Sequence, residues 1–281
     1  MEAVRKNPPA GELSEKKLYV FDMDGTIYLG GQVFDFAVRF IRHLRQSGRR
    51  VLFFTNNASH SVDFYMEKLG RLGFAPTREE IMTSGDVTVA YLKLRHSGQA
   101  VYLLGTAQLC DQFRRAGIRL LTGEEERADV VVSSFDTELT YRKLDNACRL
   151  IRGGAVYLCT HPDFNCPTET GFIPDSGAIA AAITASTGVT PRFLGKPYAE
   201  VVEMIEEVTG VPRDGICVFG DRLYTDIALG TRNGVTSVLV LTGETREADI
   251  PDAPADQRPT LVYDSLAEVD TAMFGTLGRD A

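Results

Sequence analysis

Two carboxylates stand two residues apart near the start of the chain, where its first strongly apolar segment ends. Asp22 and Asp24 follow Tyr19–Phe21 and lead into a Gly-Thr pair. Unpaired carboxylates are costly to bury, so we expect this pair at an accessible site rather than in a core. Because side chains alternate along a strand, both acids can reach one cation and one substrate atom. A strand that simply ends in a polar Asp-Gly turn would also account for them.

Small hydrogen-bonding side chains follow another apolar segment. Thr55, Asn56 and Asn57 come directly after Val51–Phe54 and precede a predicted helix. A hydroxyl, an amide and the unpaired N–H groups of a helix N-terminus suit the oxygens of a phosphate. Taken alone, however, the segment is explained better by an ordinary helix cap.

Two later segments place charged side chains at predicted strand ends. Lys196, held between a glycine and a proline, offers a point charge for a phosphate. Asp221 ends the apolar segment Ile216–Phe219, and Asp226 lies about one helical turn into the next helix. Mg²⁺ is typically bound by a few carboxylate oxygens, and water and phosphate oxygens complete its coordination. Taken singly, an exposed lysine, a helix cap and a surface acid would explain these residues as well.

Apolar segments and segments of helical period alternate along almost the whole chain, which is typical of an α/β protein with a parallel sheet. The predicted strands are Leu18–Phe21, Val51–Thr55, Ile81–Thr83, Ala100–Leu104, Val130–Ser133, Val156–Thr160, Phe193–Leu194, Ile216–Phe219, Ser237–Leu241 and Leu261–Val262. The predicted helices are 33–46, 61–71, 86–96, 107–116, 138–151, 177–186, 198–209 and 223–232. In open α/β sheets, ligands bind beyond the carboxyl ends of strands, which is where the polar segments above are expected.

Composition and charge exclude several classes of function. A net charge of −8 without a compensating basic cluster argues against nucleic acid as a partner. No apolar stretch approaches the roughly 18 residues of a membrane span, and the N-terminal residues lack the apolar core of a secretory signal. The five cysteines show no paired spacing, which favours thiols in a reducing compartment. We therefore expect a cytoplasmic protein that binds neither nucleic acid nor membrane.

The four polar segments, DxDGT, TNN, GKP and GDxxxTD, resemble in order and kind the four motifs of the haloacid dehalogenase (HAD) superfamily of aspartate-nucleophile phosphohydrolases. The resemblance covers roughly residues 16–86 and 188–245. The DxD metal site of a nucleotide-sugar glycosyltransferase would not need the GKP and GDRLYTD segments. A dinucleotide-binding Rossmann domain would carry a G-x-G-x-x-G after the first strand, and none follows it.

The spacing of the motifs is similar to that of the NagD-like branch (class IIA), which includes 4-nitrophenyl phosphatase-like, pyridoxal phosphate and phosphoglycolate phosphatases. About 140 residues separate Thr55 from Lys196. Only about 20 residues separate the predicted hairpin flap at Ile27–Phe34 from the strand that ends at Thr55. The resemblance implies a discontinuous Rossmann-like HAD core, residues 1–85 and 187–281, and an inserted α/β cap, residues 86–186, that selects the substrate. Many relatives carry Asn at the position of His161.

The resemblance also implies a role for each motif residue. Asp22 would be the nucleophile that forms an aspartyl-phosphate, and Asp24 would protonate the leaving oxygen and then activate water. Mg²⁺ would be bound by Asp22, Asp221 and the backbone carbonyl of Asp24. The residues that would bind phosphate are Thr55, Asn56, Asn57 and Lys196. Asp226 would orient metal-bound water or the lysine. His161 and Asp175 would contact the substrate from the cap.

The expected activity is hydrolysis of a small phosphorylated metabolite. A phosphotransferase or phosphomutase would use the same residues, and so would a phosphate-binding regulator that had lost catalysis. The resemblance further implies a homodimer formed through the cap.

Overall fold

The computed structural model describes residues 6–168 and 170–275. Its strands are β1 Leu18–Phe21, β2 Tyr28–Leu29, β3 Gln32–Val33, β4 Arg50–Thr55, β5 Ile81–Thr83, β6 Ala100–Leu104, β7 Arg119–Leu120, β8 Val130–Ser133, β9 Val156–Cys159, β10 Asn165–Thr168, β11 Gly171–Pro174, β12 Arg192–Phe193, β13 Ile216–Gly220, β14 Thr236–Val240 and β15 Leu261–Tyr263. Its α-helices are α1 Asp35–Gln46, α2 Val62–Arg71, α3 Ser84–Arg95, α4 Ala107–Arg115, α5 Tyr141–Arg152, α6 Ser176–Thr187, α7 Ala199–Thr209, α8 Ala228–Asn233 and α9 Leu266–Phe274.

Contacts divide the chain into two compact units. Among the described residues, the first unit contains 6–55, 66–82 and 205–275, and the second contains 56–65, 83–168 and 170–204. No helix in the described ranges is both long enough and apolar enough to span a membrane. The second unit extends beyond the predicted insertion 86–186 on both sides, and the assignment of that insertion as a cap stays a prediction.

A six-stranded sheet with the order β15-β14-β13-β1-β4-β5 carries the fold of the first unit. β1 is a central strand that pairs in parallel with β13 on one side and β4 on the other. The residues of β1 and β13 are all buried, as expected for strands covered on both faces. The predicted α/β class with a Rossmann-like parallel sheet is thereby confirmed.

An aromatic cluster packs α1 against this sheet. The buried residues of α1 are Ala37, Phe40, Ile41 and Leu44, which share one helical face because they recur at intervals of three and four. The ring of Phe40 meets the rings of Phe21 and Phe219 edge-on, with centroids 6.0 and 6.1 Å away. Phe21 and Phe219 themselves stack at 4.8 Å. The cluster therefore holds together the two strands that end in the predicted acids.

The second unit contains a five-stranded sheet with the order β12-β9-β8-β6-β7, and each of its pairs is parallel. Its core joins β6 and β8 to α5 and α6 through the buried side chains of Tyr102, Val131, Ile151, Ile179 and Ile183. An antiparallel hairpin of β10 and β11 precedes α6.

The predicted strand at 193–194 belongs to this second sheet, whereas the sequence had placed it in the catalytic core. Phe193 pairs with Cys159 of β9, and Leu194 N donates to Cys159 O at 2.9 Å. The periodicity of so short a segment cannot specify its partner strand, and the partner here precedes it by more than 30 residues. The sequence analysis also missed β7, β10 and β11, which are short and largely exposed.

Phe40 provides a test of the aromatic cluster. Because its ring is fully buried between two other rings, Phe40→Ala should lower the free energy of unfolding by about 3–5 kcal/mol. Tyr141→Ala, which removes an aromatic ring from a position that is 85% exposed, should change it by less than about 0.5 kcal/mol. The chain has no tryptophan, so urea unfolding would be followed by circular dichroism. Equal urea midpoints for the two variants would contradict this account of the core.

Candidate active site at the strand ends

Three carboxylates converge in the first unit. Asp22 follows β1 and Asp221 follows the neighbouring strand β13, while Asp226 lies in a π-helical turn, Leu223–Ile227. One oxygen from each of these aspartates lies within 4.8 Å of the others, which is close enough to share a metal ion. The sequence predicted a regular helix over 223–232, but Ile227 N donates to Arg222 O across five residues at 3.2 Å.

Glycines allow the backbone to approach Asp221 closely. A Cβ atom at Gly243 would lie 2.0 Å from Asp221 Oδ2, and one at Gly25 would lie 2.4 Å from the same atom. Gly25 also has a φ of +82°, a conformation that side-chain-bearing residues rarely adopt. Gly25 of the DxDGT motif therefore allows the turn, and it also allows close packing against Asp221, which lies about 200 residues later in the sequence.

Asp221 lies in surroundings that disfavour its negative charge. Only 2% of the residue is exposed, and its Oδ2 accepts a hydrogen bond from Glu244 N at 2.6 Å. Its Oδ1 is buried and has no hydrogen-bond partner among the described residues. Burial first, and then the charges of Asp22 and Asp226, raise the pKa of Asp221 to about 7. A divalent cation against Oδ1 would offset both effects, so the donor set fits a metal such as Mg²⁺.

Asp24 lies on the hairpin beside this cluster. Gly25 N donates to Tyr28 O at 2.7 Å, which folds the chain back at the start of β2. Asp24 Oδ1 accepts from Gly30 N at 3.4 Å, in the turn between β2 and β3. The predicted flap is thus present, and Asp24 belongs to it rather than to the cluster of three carboxylates.

Lys68 of α2 anchors the flap. Its Nζ donates to Tyr28 Oη at 2.9 Å and lies 4.1 Å from the centre of the Tyr28 ring. Partial burial lowers the pKa of Lys68, although the charge of Asp24 opposes this effect. The sequence analysis missed Lys68, because nothing in its helix marks it as a neighbour of the DxDGT motif.

Arg222 supplies positive charge to the cluster. Its Nε lies 3.0 Å from Glu244 Oε2. Burial would lower the pKa of Arg222, but the charges of Asp22, Tyr224, Asp226 and Asp221 more than compensate and raise the pKa above its usual value. The sequence analysis missed Arg222 and Glu244, although polar residues also follow the apolar strand β14, which pairs in parallel with β13.

The second unit brings together Asn56 and Lys196. Asn56 Oδ1 accepts from Lys196 N at 2.8 Å, and Asn56 Nδ2 donates to Lys196 O at 3.1 Å and to Asp163 Oδ2 at 3.0 Å. Lys196 itself is only 4% exposed. Thr55 lies in the first unit, at the end of β4.

Asn57 takes part in a local turn. Its Oδ1 accepts hydrogen bonds from Ser59 N at 2.9 Å and from Ser59 Oγ at 2.7 Å. This is an Asx turn, which asparagine commonly forms in loops, and helix α2 begins only at Val62.

His161 and Asp175 are buried and bonded to each other. His161 Nε2 lies 2.8 Å from Asp175 Oδ1, with 0% and 4% of the two residues exposed. Together with Asp163 they form a second group whose ligand atoms lie within 4.8 Å of one another. The predicted contact of His161 and Asp175 with a substrate stays a prediction.

Comparison with known proteins identifies the family. A model for haloacid dehalogenase-like hydrolases matches residues 19–119, and a HAD-hydrolase-like model matches residues 193–269. An acid sugar phosphatase from Staphylococcus aureus strain MRSA252 is 34% identical over 91% of this chain and 97% of its own length.

Solved structures agree with the sequence relatives. The 4-nitrophenylphosphatase from Thermotoga maritima is 40% identical, with a TM-score of 0.87 over 93% of this chain and 99% of its own. The glycerol phosphate phosphatase Rv1692 from Mycobacterium tuberculosis, solved with magnesium, is 32% identical, with a TM-score of 0.84 over 91% of this chain and 76% of its own. The chain therefore belongs to the haloacid dehalogenase-like hydrolases, in the NagD-like phosphatase branch that the motif spacing predicted.

Proposed function

We propose that this enzyme hydrolyses a small phosphomonoester with Mg²⁺, by way of an aspartyl-phosphate formed on Asp22. The observation that carries the proposal is the convergence of Asp22, Asp221 and Asp226 around a buried carboxylate oxygen without a hydrogen-bond partner in the described chain. A structural role would leave three acids repelling one another, whereas a site that gathers a cation and a phosphate gains from the same arrangement.

The carboxylates divide the chemistry between two environments. A carboxylate oxygen of Asp22 forms a bond to phosphorus as the ester P–O bond breaks. Asp24, which accepts a hydrogen bond from the turn of the hairpin, gives a proton to the departing alcohol oxygen. Water then attacks phosphorus as the bond between phosphorus and the Asp22 oxygen breaks, and it gives a proton to Asp24. Inorganic phosphate leaves, and both acids return to their initial states.

Mg²⁺ fits the donor set described above, and a relative was solved with this ion. The side chains of Asp22 and Asp221 and the backbone carbonyl of Asp24 would hold it, while Asp226 would orient a water. When bound, the ion offsets the repulsion between an anionic nucleophile and an anionic phosphate.

The remaining motif residues are assigned from family membership. Thr55, Asn56, Asn57 and Lys196 hold the phosphoryl group, Asn56 through its backbone N–H because its side chain is bonded to Lys196 and Asp163. Lys196 supplies the compensating positive charge. The acid sugar and glycerol phosphate activities named for two relatives favour a small polar phosphoester as substrate. Selection among such esters is assigned to the inserted residues 86–186.

Location and assembly are further proposals. All five cysteines are free thiols, which supports a reducing cytoplasm. The β10–β11 hairpin exposes 76% of Phe172 and 38% of Ile173, which supports a homodimer formed through the inserted residues. Size-exclusion chromatography with light scattering should give about twice the chain mass of 30.9 kDa; a mass of one chain at micromolar concentration would reject the dimer.

The proposed activity is tested with 4-nitrophenyl phosphate. Wild-type enzyme should release nitrophenol and inorganic phosphate in equal amounts with Mg²⁺, and should lose this activity in EDTA. Release of nitrophenol only after an acceptor alcohol is added would identify a phosphotransferase instead.

Asp22→Asn should lower kcat by at least about 100-fold, because it removes the nucleophile. The circular dichroism spectrum should not change, since the substitution keeps size and shape. Asp145→Asn makes the same chemical change at an exposed position of α5 and should leave kcat unaltered. Comparable kcat values for Asp22→Asn and the wild type would remove Asp22 from the mechanism.

Gly243→Ala tests the metal assignment. The added methyl group would displace the Asp221 carboxylate, so the Mg²⁺ concentration for half-maximal activity should rise at least about tenfold, or 1.4 kcal/mol. Gly70→Ala is the control, because a Cβ atom there would have no neighbour within 4 Å. An unaltered Mg²⁺ requirement in Gly243→Ala would show that Asp221 does not bind the ion.

A further inference from the structure

A series of buried hydrogen bonds runs from Asp175 to Lys196 within the second unit. It begins where Asp175 caps α6 by accepting from Ser176 N at 2.5 Å. The same oxygen, Asp175 Oδ1, lies 2.8 Å from His161 Nε2. Because a carboxylate only accepts hydrogen bonds, Nε2 carries a proton and the imidazole ring is held in one orientation.

The other ring nitrogen faces hydroxyl groups. His161 Nδ1 lies 2.9 Å from Thr160 Oγ1 and 3.3 Å from Ser84 Oγ. The Ser84 hydroxyl donates its one proton to the backbone carbonyl oxygen of Asn56, so the Ser84 oxygen can only accept from Nδ1. His161, Thr160 and Ser84 are each 0% exposed, so the imidazole links the start of α6 to residue 56 through groups that are all out of contact with solvent.

The carboxamide of Asn56 completes the series. Its oxygen accepts from Lys196 N, and its nitrogen donates to both Lys196 O and Asp163 Oδ2. A primary amide has two N–H donors, and both of them are used in these bonds. The Asn56 side chain is therefore hydrogen-bonded to both the N–H and the C=O of Lys196.

Close packing also fixes the position of the segment that carries Lys196. A Cβ atom at Gly195 would lie 2.5 Å from His161 Cβ and 2.8 Å from Asn56 Oδ1. Only a glycine at this position lets the segment that carries Lys196 lie directly against His161 and Asn56.

We propose that His161, held by Asp175, is a positioning residue for Lys196 that acts through Ser84 and Asn56, and that it does not select the substrate. The proposal rests on the proposed function only in the phosphate-binding role of Lys196. Since the lysine would contact the phosphoryl group common to all substrates, loss of His161 should reduce kcat/KM by a similar factor for every ester. A residue that contacts the variable part of the substrate would instead change the ranking of esters.

A double-mutant cycle on the full-length enzyme tests this coupling. His161→Ala should lower kcat/KM at least about tenfold for 4-nitrophenyl phosphate, glycerol phosphate and a sugar phosphate alike. In a Lys196→Ala background the same substitution should cost less than about threefold, because the group that His161 positions is already absent. Asp175→Asn keeps both an acceptor for Nε2 and a helix cap, and should stay within about threefold of the wild type.

The chain offers a matched control in its first unit. His43 Nδ1 lies 2.6 Å from Asp270 Oδ1, another histidine–aspartate pair that is largely buried. His43→Ala should lower stability in the same way as His161→Ala while leaving kcat/KM unchanged. If His161→Ala does not fold, Ser84→Ala breaks the same series with the loss of a single hydroxyl group and should show the same coupling to Lys196.

Deuterium exchange gives a readout that does not depend on turnover. The Lys196 N–H, bonded to Asn56 Oδ1, should exchange at least about tenfold faster in His161→Ala or Ser84→Ala, and at the wild-type rate in His43→Ala. An inactive wild type would refute the proposed function, and the exchange rates would still decide the positioning role.

Three outcomes with the variants would overturn the inference, and a fourth with the wild type would replace it. The first three are unaltered exchange at Lys196, full independence of His161 and Lys196 in the cycle, and a changed ranking of esters in His161→Ala. A loss of protection when EDTA treatment strips the wild type, restored by Zn²⁺ but not by Mg²⁺, would assign His161, Asp163 and Asp175 to a metal site instead.

Discussion

The electrostatic cost of gathering negative charge around Asp221 is the constraint on which the rest of the first unit depends. Three carboxylates lie within a few ångströms of one another, and two of them, Asp221 and Asp226, are almost completely buried. Such an arrangement is unfavourable without a cation and becomes favourable once a cation and an anionic phosphate are present. The cost explains the features that surround it: an N–H from Glu244, a guanidinium from Arg222, and glycines at 25 and 243 that let the backbone pack against the carboxylate.

A parallel sheet is what makes this gathering possible. Because β1 and β13 are neighbours that run in the same direction, the residues that follow them emerge side by side. The buried rings of Phe21, Phe40 and Phe219 hold the two strands and α1 together beneath that edge. Most of the stability then comes from an apolar core, and the polar residues at the edge are left to serve chemistry at some cost in stability.

The hydrogen bonds of the second unit fix the main chain that carries a long, flexible lysine side chain. A lysine side chain has four rotatable bonds, so its charge is positioned well only if its main chain is fixed. Asn56 fixes that main chain from both sides, and the buried His161–Asp175 pair stands behind Asn56. Polar networks of this kind offset their desolvation cost only when their members are bonded, and Asn56, His161 and Asp175 each have hydrogen-bond partners.

The sequence alone determined the α/β class and the family, because strand periodicity and strand-end motifs are local patterns. The roles that it assigned to Asp22, Asp24, Asp221 and Asp226 stay predictions. Tertiary structure decided what each polar side chain bonds to. Asn56 is hydrogen-bonded to Lys196, which lies 140 residues away. Asp221 accepts a hydrogen bond from Glu244, beyond the next strand, and β12 pairs with β9 of the second unit. No local pattern encodes such pairings, since they follow from how apolar faces pack and which buried donors then meet which acceptors.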